Sequence, residues 1–192
     1  MRLYHTPQTR STRILWALEE VGAPYDVTLV SREEKSGEEH RARHPLGRSP
    51  VVHDGEGYVF ESAAICFQLA DLHPEAGLIP PTGSHERALV YQWAFFAMTE
   101  VEPHFVEIAF RDSSDDAKAK ATASLGAALA VVQDALGGDE YLVGGRFGVA
   151  DLVLGAVLAS ANNFSLLDGF PGLVAYVGRL NERDARKRAL AA

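Results

Sequence analysis

The sequence predicts an α/β unit ordered β-α-β then β-β-α, followed by an all-helical unit. Three observations carry this. Strand and helix periodicities alternate through residues 1–76, a segment rich in Gly, Pro and Ser occupies 77–84, and no convincing strand follows in 85–192. The expected organisation is therefore a first domain at 1–76, a linker at 77–84 and a helical domain at 85–192.

The elements follow in order. Leu3-Tyr4-His5 is short, apolar and aromatic, which suits a strand. Ile14, Leu15, Ala17, Leu18 and Val21 share one helical face. Ser11 or Thr12 can cap that helix by accepting from a free N–H of its first turn. Gly22 stands where a left-handed residue ends a helix, and Pro24 prevents continuation. Tyr25, Val27 and Leu29 alternate with Asp26 and Thr28, a strand pattern. Two strands around one short helix should be parallel.

Residues 31–44 are polar and read as a loop plus an irregular, exposed helix. Val51-Val52-His53 and Tyr58-Val59-Phe60 flank Asp54-Gly55-Glu56-Gly57, the pattern of a hairpin. Glu61-Ser62 opens a helix carrying Ala64, Ile65, Phe67, Leu69 and Leu72, which stops near His73-Pro74.

Beyond the linker, 85–111 reads as one long helix rich in aromatics and 114–136 as a second. Leu152 to Ala161 is apolar nearly all round and should be a buried helix. A last helix is expected over roughly 172–189, with Lys187 and Arg188 suited to its negative end. In Phe147-Gly148-Val149-Ala150-Asp151-Leu152, Asp151 is placed to reach back to the cap backbone, and Phe147 and Leu152 form a hydrophobic staple.

The composition narrows the function classes. Of 192 residues, 47% are apolar and 23% charged, an ordinary globular balance. The formal net charge is −8 with no Lys/Arg tract, so a nucleic-acid partner is not expected. The one cysteine, Cys66, excludes an internal disulfide, a CxxC redox pair and a Cys-rich metal site. It is read as inert core. The most apolar stretch is about half of the roughly 20 residues that span a bilayer, and no leader-like stretch opens the sequence. The expectation is a soluble cytoplasmic protein with no membrane partner and no metal.

Chemistry concentrates in three places. The turn Pro7-Gln8-Thr9-Arg10-Ser11 sets hydroxyls beside a helix N-terminus, where free N–H groups and a partial positive charge favour an anion such as a thiolate. Thr9 and Ser11 can equally serve only as caps. Ser49-Pro50 enters a strand, and a cis bond there would turn the Ser49 backbone toward a peptide-like ligand. Glu61-Ser62 joins a carboxylate, a hydroxyl and helix N–H groups, a set that can hold an α-amino-acid end or act as an ordinary cap.

The runs Leu3-Tyr4, Thr9-Arg10-Ser11-Thr12-Arg13, Pro45-Leu46-Gly47-Arg48-Ser49-Pro50-Val51 and Glu61-Ser62-Ala63-Ala64-Ile65 together resemble the thioredoxin-like N-terminal domain of bacterial glutathione transferases. Gly144 to Asp151 resembles the helix-capping motif of that family's helical C-terminal domain. The resemblance covers nearly the whole chain, and Glu61 follows Pro50 by 11 positions, as in the family.

The resemblance implies that Pro50 is a cis-proline and that Ser49 pairs through its backbone with the cysteinyl part of glutathione. It implies that Glu61 and Ser62 hold the γ-glutamyl end and that the thiol points at Thr9, Arg10 and Ser11. Matching serine-using members places the catalytic hydroxyl at Thr9. Matching cysteine-using members places Arg10 at the catalytic position, with Ser11 next to it. Ser11 is favoured as the functional hydroxyl, with Thr9 second and Arg10 as an electrostatic partner.

The implied activity is a glutathione S-transferase that stabilises the thiolate for attack on a small hydrophobic electrophile or a disulfide. Glutathione would be co-substrate, with no cofactor. The implied assembly is a homodimer and the implied role detoxification. Tyr91, Trp93, Phe95, Phe96, Met98, His104 and Phe105 are candidates to line the second-substrate site, most of them expected to be core. Several residues depart from the family pattern. Gly148 replaces a capping Ser or Thr, Ser49 an apolar residue and His44 an asparagine, and the catalytic turn holds no Tyr or Cys. The alternative is a regulatory or non-catalytic relative that binds the same thiol.

Overall fold

The computed structural model describes all of residues 1–192. It divides into two compact units. The first joins Met1–Ile79 with Arg183–Ala192, and the second is Pro80–Glu182. The first stretch ends at Ile79, and the final helix of the expected 85–192 stretch is grouped with the first unit.

In the first unit the strands are β1 (Arg2–His5), β2 (Asp26–Leu29), β3 (Val51–His53) and β4 (Tyr58–Phe60). They form one sheet in the order β2-β1-β3-β4. β1 and β2 are parallel, with Leu3 opposite Val27. β3 runs antiparallel to both neighbours, Val52 facing Leu3 on one side and Val59 on the other. The turn between β3 and β4 is held by Asp54, whose Oδ1 accepts from the N–H groups of Glu56 and Gly57, both at 3.0 Å.

Helix α1 (Ser11–Val21) ends at Gly22, whose φ of 69° is the left-handed conformation expected there. Ile14, Leu15, Trp16, Ala17 and Leu18 are all buried. Between β2 and β3 lie a 3₁₀ turn at Glu34–Ser36 and α2 (Glu38–Arg43). This segment is less exposed than its polarity suggests, because His40 and His44 are buried. Helix α3 (Ser62–Leu72) follows β4 and buries Ile65, Cys66, Leu69 and Ala70.

The second unit holds α4 (His85–Phe96), α5 (Glu102–Phe110), α6 (Asp115–Leu136), α7 (Val149–Asn162) and α8 (Pro171–Asn181). The run expected as one helix over 85–111 is interrupted by a π turn at Ala97–Val101. Pro103 supplies the cause. It has no N–H to give, and its ring would strike the carbonyl four residues back. Ser84 and Ser114 cap α4 and α6, accepting from Arg87 N and Ala117 N. Helix α7 is buried on all sides from Val149 to Leu158. At its start Asp151 Oδ2 accepts from Gly148 N at 2.9 Å, while Oδ1 accepts from Leu142 N at 2.9 Å and Tyr176 Oη at 2.8 Å.

The single helix expected over 172–189 is two. After α8 the chain turns at Glu182–Arg183 and α9 (Asp184–Ala191) packs on α1. The anchors are specific. Arg183 grips Glu20 with two bonds of 2.7 and 2.8 Å. Arg188 pairs with Glu19, and the Arg186 guanidinium lies over the Trp16 ring, 4.7 Å from its centre. No helix is long and apolar enough to cross a membrane.

Candidate functional site

The three segments singled out in the sequence all reach the C-terminal end of β1 or the start of α1. The turn begins where β1 stops. Val30 N donates to His5 O at 2.8 Å, so β2 extends the pairing one residue past the strand. Thr6, now directly over the sheet edge, is buried and donates its hydroxyl to Val30 O at 2.7 Å. Gln8 takes a φ of 59° and reverses the chain into α1.

Ser11 does not cap α1. The N-cap is Arg10, which makes no side-chain cap bond. The Ser11 hydroxyl instead turns back under the turn. Its Oγ accepts from Thr6 N at 3.1 Å and lies 2.9 Å from Thr6 O, 2.8 Å from Thr9 Oγ1 and 2.7 Å from His5 Nδ1. The residue is wholly buried, at 0% exposure. Thr9 covers it and is half-buried, with its hydroxyl 2.7 Å from Thr6 O. Arg10 is exposed.

The N–H groups expected to be free at this helix start are used locally. Ser11 N donates to Thr9 Oγ1 at 3.3 Å, Thr12 N to Thr9 O at 3.1 Å and Arg13 N to Arg10 O at 3.2 Å. A ligand at this turn therefore meets hydroxyls more than bare helix-end amides.

His5 is the residue that the sequence reading passed over. It sits at the end of an apolar strand, six positions before Ser11, and its burial pushes its pKa below the usual histidine value. The signal was a lone imidazole in an apolar strand beside a hydroxyl-rich turn.

The Ser49–Pro50 peptide is cis. Both residues are buried. Ser49 Oγ lies 2.9 Å from Thr6 Oγ1. Thr6 spends its proton on Val30 O, so Ser49 is the donor. The loop leading here is braced by the two buried histidines. His40 Nε2 is 2.9 Å from Arg48 O, and since a carbonyl only accepts, that nitrogen carries the proton. Leu46 N donates to His44 Nδ1 at 3.1 Å. Gly47, at φ 60°, passes so close to Lys35 that a Cβ would collide with its carbonyl oxygen.

Glu61 precedes α3 with φ 73° and ψ 109°, a conformation rare outside glycine. The strain leaves the Glu61 side chain exposed while Ser62 is buried, at 1% exposure. Arg13 Nη1 donates to Ser62 Oγ at 2.7 Å. Because arginine can only donate, the Ser62 hydroxyl keeps its own proton for another acceptor.

All seven residues singled out in the sequence thus lie around α1. Ser49 reaches Ser11 and Thr9 through Thr6, and Ser62 reaches the helix through Arg13. Pro50 and Glu61 contribute backbone shape, and Arg10 stands exposed at the rim. No group of three or more His, Cys, Asp or Glu is placed to hold a metal ion. Of the second-substrate candidates, Trp93 and Phe105 are core, and Tyr91 and Phe95 are exposed.

Comparison with known proteins places the whole chain in a family. The model of the glutathione S-transferase N-terminal domain matches residues 1–71, and that of the C-terminal domain residues 87–184. The chain is 29% identical over 197 residues to glutathione S-transferase GstA of Escherichia coli O157:H7, covering all of this chain and 98% of that protein. A ternary complex of BphK, a bacterial glutathione transferase, superposes with a TM-score of 0.92 at 32% identity, over 100% of this chain and 98% of that one. A sphingomonad glutathione S-transferase complexed with glutathione gives 0.90 at 30%, with the same coverage. Matched over both its units and carrying the cis-proline loop, the strained Glu61 and the hydroxyl turn in one α/β unit, the chain belongs to the glutathione S-transferase family.

Proposed function

We propose that this protein is an active glutathione S-transferase whose first unit binds glutathione along the line from Glu61 to Thr9. The observation that carries the reading is the hydrogen-bonded joining of three ligand-binding segments, Thr6–Ser11, Ser49–Pro50 and Glu61–Ser62, around one helix start. Ser62, accepting from Arg13, offers its proton to the γ-glutamyl carboxylate, while the exposed Glu61 takes the ammonium. The Ser49 backbone pairs with the cysteinyl peptide. The thiol then meets the turn at Thr9, the half-buried hydroxyl, with Ser11 behind it and Arg10 at the rim adding positive potential. Holding thiol and electrophile together and stabilising the developing thiolate supply the rate. The second substrate is a small hydrophobic electrophile, the assembly a homodimer and the setting cytoplasmic detoxification.

Retention on glutathione-agarose followed by conjugation of a chloronitrobenzene acceptor tests the reading. The protein is expected to bind, elute with free glutathione and turn over. A folded protein that passes through the column sinks it. A second reading, thiol binding without turnover, is favoured by the complete burial of Ser11 and by the absence of Tyr and Cys from the turn. Retention with no conjugation or disulfide reduction would select it.

A further inference from the structure

We propose that Thr9, Ser11 and His5 form a proton relay that carries the proton of the bound thiol inward to the imidazole. The proposal rests on the reading above that a thiol is seated at Thr9. It assigns to His5 a part that acts through two other side chains.

The geometry is a chain of short contacts running inward from the half-buried hydroxyl. Thr9 Oγ1 lies 2.8 Å from Ser11 Oγ, and Ser11 Oγ lies 2.7 Å from His5 Nδ1. Each hydroxyl has one proton and two lone pairs, so the bonding pattern can be counted. Thr6 N donates to Ser11 Oγ, which fills one lone pair. If Nδ1 is bare, Ser11 gives its proton to it and can receive one from Thr9 on its remaining lone pair. Thr9 Oγ1 in turn accepts from Ser11 N and has a lone pair left for the thiol. Thr6 O is the competing acceptor, 2.7 Å from Thr9 and 2.9 Å from Ser11. Turning the Thr9 proton from Thr6 O to Ser11 Oγ moves no heavy atom.

The step balances. The S–H bond breaks, and its proton goes to Thr9 Oγ1. The Thr9 proton passes to Ser11 Oγ, and the Ser11 proton passes to His5 Nδ1. The sulfur keeps the bonding electron pair. The result is a thiolate and an imidazolium, with no change in net charge. The thiolate sulfur then bonds to the electrophilic carbon as the leaving group (chloride, for chloronitrobenzene) departs with its bonding pair, and the imidazolium passes its proton outward by the same route to water.

Burial alone holds His5 below its usual value, which keeps the imidazole neutral and able to accept near pH 7. The charged or titratable groups on the elements packed against β1 are Arg13, Glu19 and Glu20 on α1, with Arg10 at its N-cap, Asp26 on β2 and His53 on β3, with Arg2 and Tyr4 on β1 itself. None of them contributes to the shift.

His5→Asn is the decisive variant, because its amide oxygen can keep the hydrogen bond from Ser11 at the Nδ1 position but cannot take a proton. The expected result is a KM for glutathione within about twofold of wild type, with kcat for chloronitrobenzene conjugation at pH 6.5 lowered about tenfold or more. The apparent pKa of bound glutathione, read from thiolate ultraviolet absorbance, should rise by about one unit. Ser11→Ala should shift that pKa equally, and the double variant no further. A wild-type thiol pKa in His5→Asn, or shifts that add in the double variant, overturns the relay. Imidazole ¹⁵N NMR of the free wild-type protein decides independently of any ligand. His5 must carry its proton on Nε2 near pH 7, and a protonated Nδ1 overturns the relay. Failure of the wild type to bind glutathione would fell the functional reading alone, leaving the tautomer to settle the geometry.

Discussion

The Ser49 hydroxyl donates to Thr6 Oγ1 across 2.9 Å, tying the cis-proline loop to the end of the first strand. The two residues are 43 positions apart, yet this bond ties the cis-proline loop to the hydroxyl turn. Ser49 is buried, and the bond explains how its polar side chain is accommodated. Replacing Ser49 with Ala leaves Thr6 still bonded to Val30 and should cost about 1 kcal/mol, seen as a melting temperature lower by roughly 2–4 °C. Glutathione KM should change less than about twofold, because the ligand contact assigned to Ser49 is through its backbone. A large KM change with no loss of stability would contradict that assignment.

Ser62→Ala should behave differently. It removes the acceptor for one Arg13 N–H inside the protein, a charge-assisted bond worth about 1.5–3 kcal/mol. It also removes the proton that the proposed binding mode offers to the γ-glutamyl carboxylate. Both stability in urea and affinity for glutathione should fall. If affinity holds while stability drops, Ser62 is a helix brace only.

Asp151 gathers three donors, Leu142 N, Gly148 N and Tyr176 Oη, at the start of the buried helix α7. Asp151→Ala strands all three, and the expected loss is about 3–5 kcal/mol. Denaturant melts or the soluble yield would report it. A loss below about 1 kcal/mol would mean that water replaces the carboxylate without penalty.

Acid should weaken the fold before the carboxylates titrate. Burial lowers the pKa of both His5 and His44, with Glu61 partly opposing the effect at His44. The unfolded chain therefore binds more protons than the native protein between the depressed values and the ordinary value of 6.5. Stability rises with pH through that window and is lost as pH falls through it. Melting temperature should drop between about pH 7 and about pH 5. A flat profile would show that the imidazoles are solvated. The carboxylates with lowered values, among them Glu19 and Asp54 (pulled down to about 2), lose their contribution only below that range.

Cys66 should be silent in the native state. It is 1% exposed, and burial pushes its thiol up to about 12. An aromatic disulfide reagent should find no reactive thiol in buffer and one per chain in denaturant. Rapid native labelling would mean that α3 opens far more often than its packing suggests.

Much of the fold was legible because its signals are local. Gly22 ends α1 through its own φ, and Asp151 reaches back to the Gly148 N–H three residues before it. The α8–α9 break was not legible. Neither Gly nor Pro marks Glu182–Arg183, and Arg183 is gripped by Glu20, 163 residues away. Pro103 did mark the π turn, but the aromatic periodicity on either side masked it. At the hydroxyl turn, side-chain directions were not legible. Ser11 looked like a cap, yet its hydroxyl turns inward because His5, Thr6 and Thr9 offer it better-placed partners than the helix end does.

The packing of α9 on α1 has a consequence for synthesis. A ribosome makes residues 1–79 early, with Trp16, Glu19 and Glu20 waiting for partners at 183–188. The first unit therefore cannot finish folding as it emerges. It must persist with one helix face uncovered while about a hundred further residues are added, roughly 5–20 s at about 5–20 residues per second. Its completion is coupled to the arrival of the chain's far end, and a stalled or truncated product would display that bare face to chaperones and proteases.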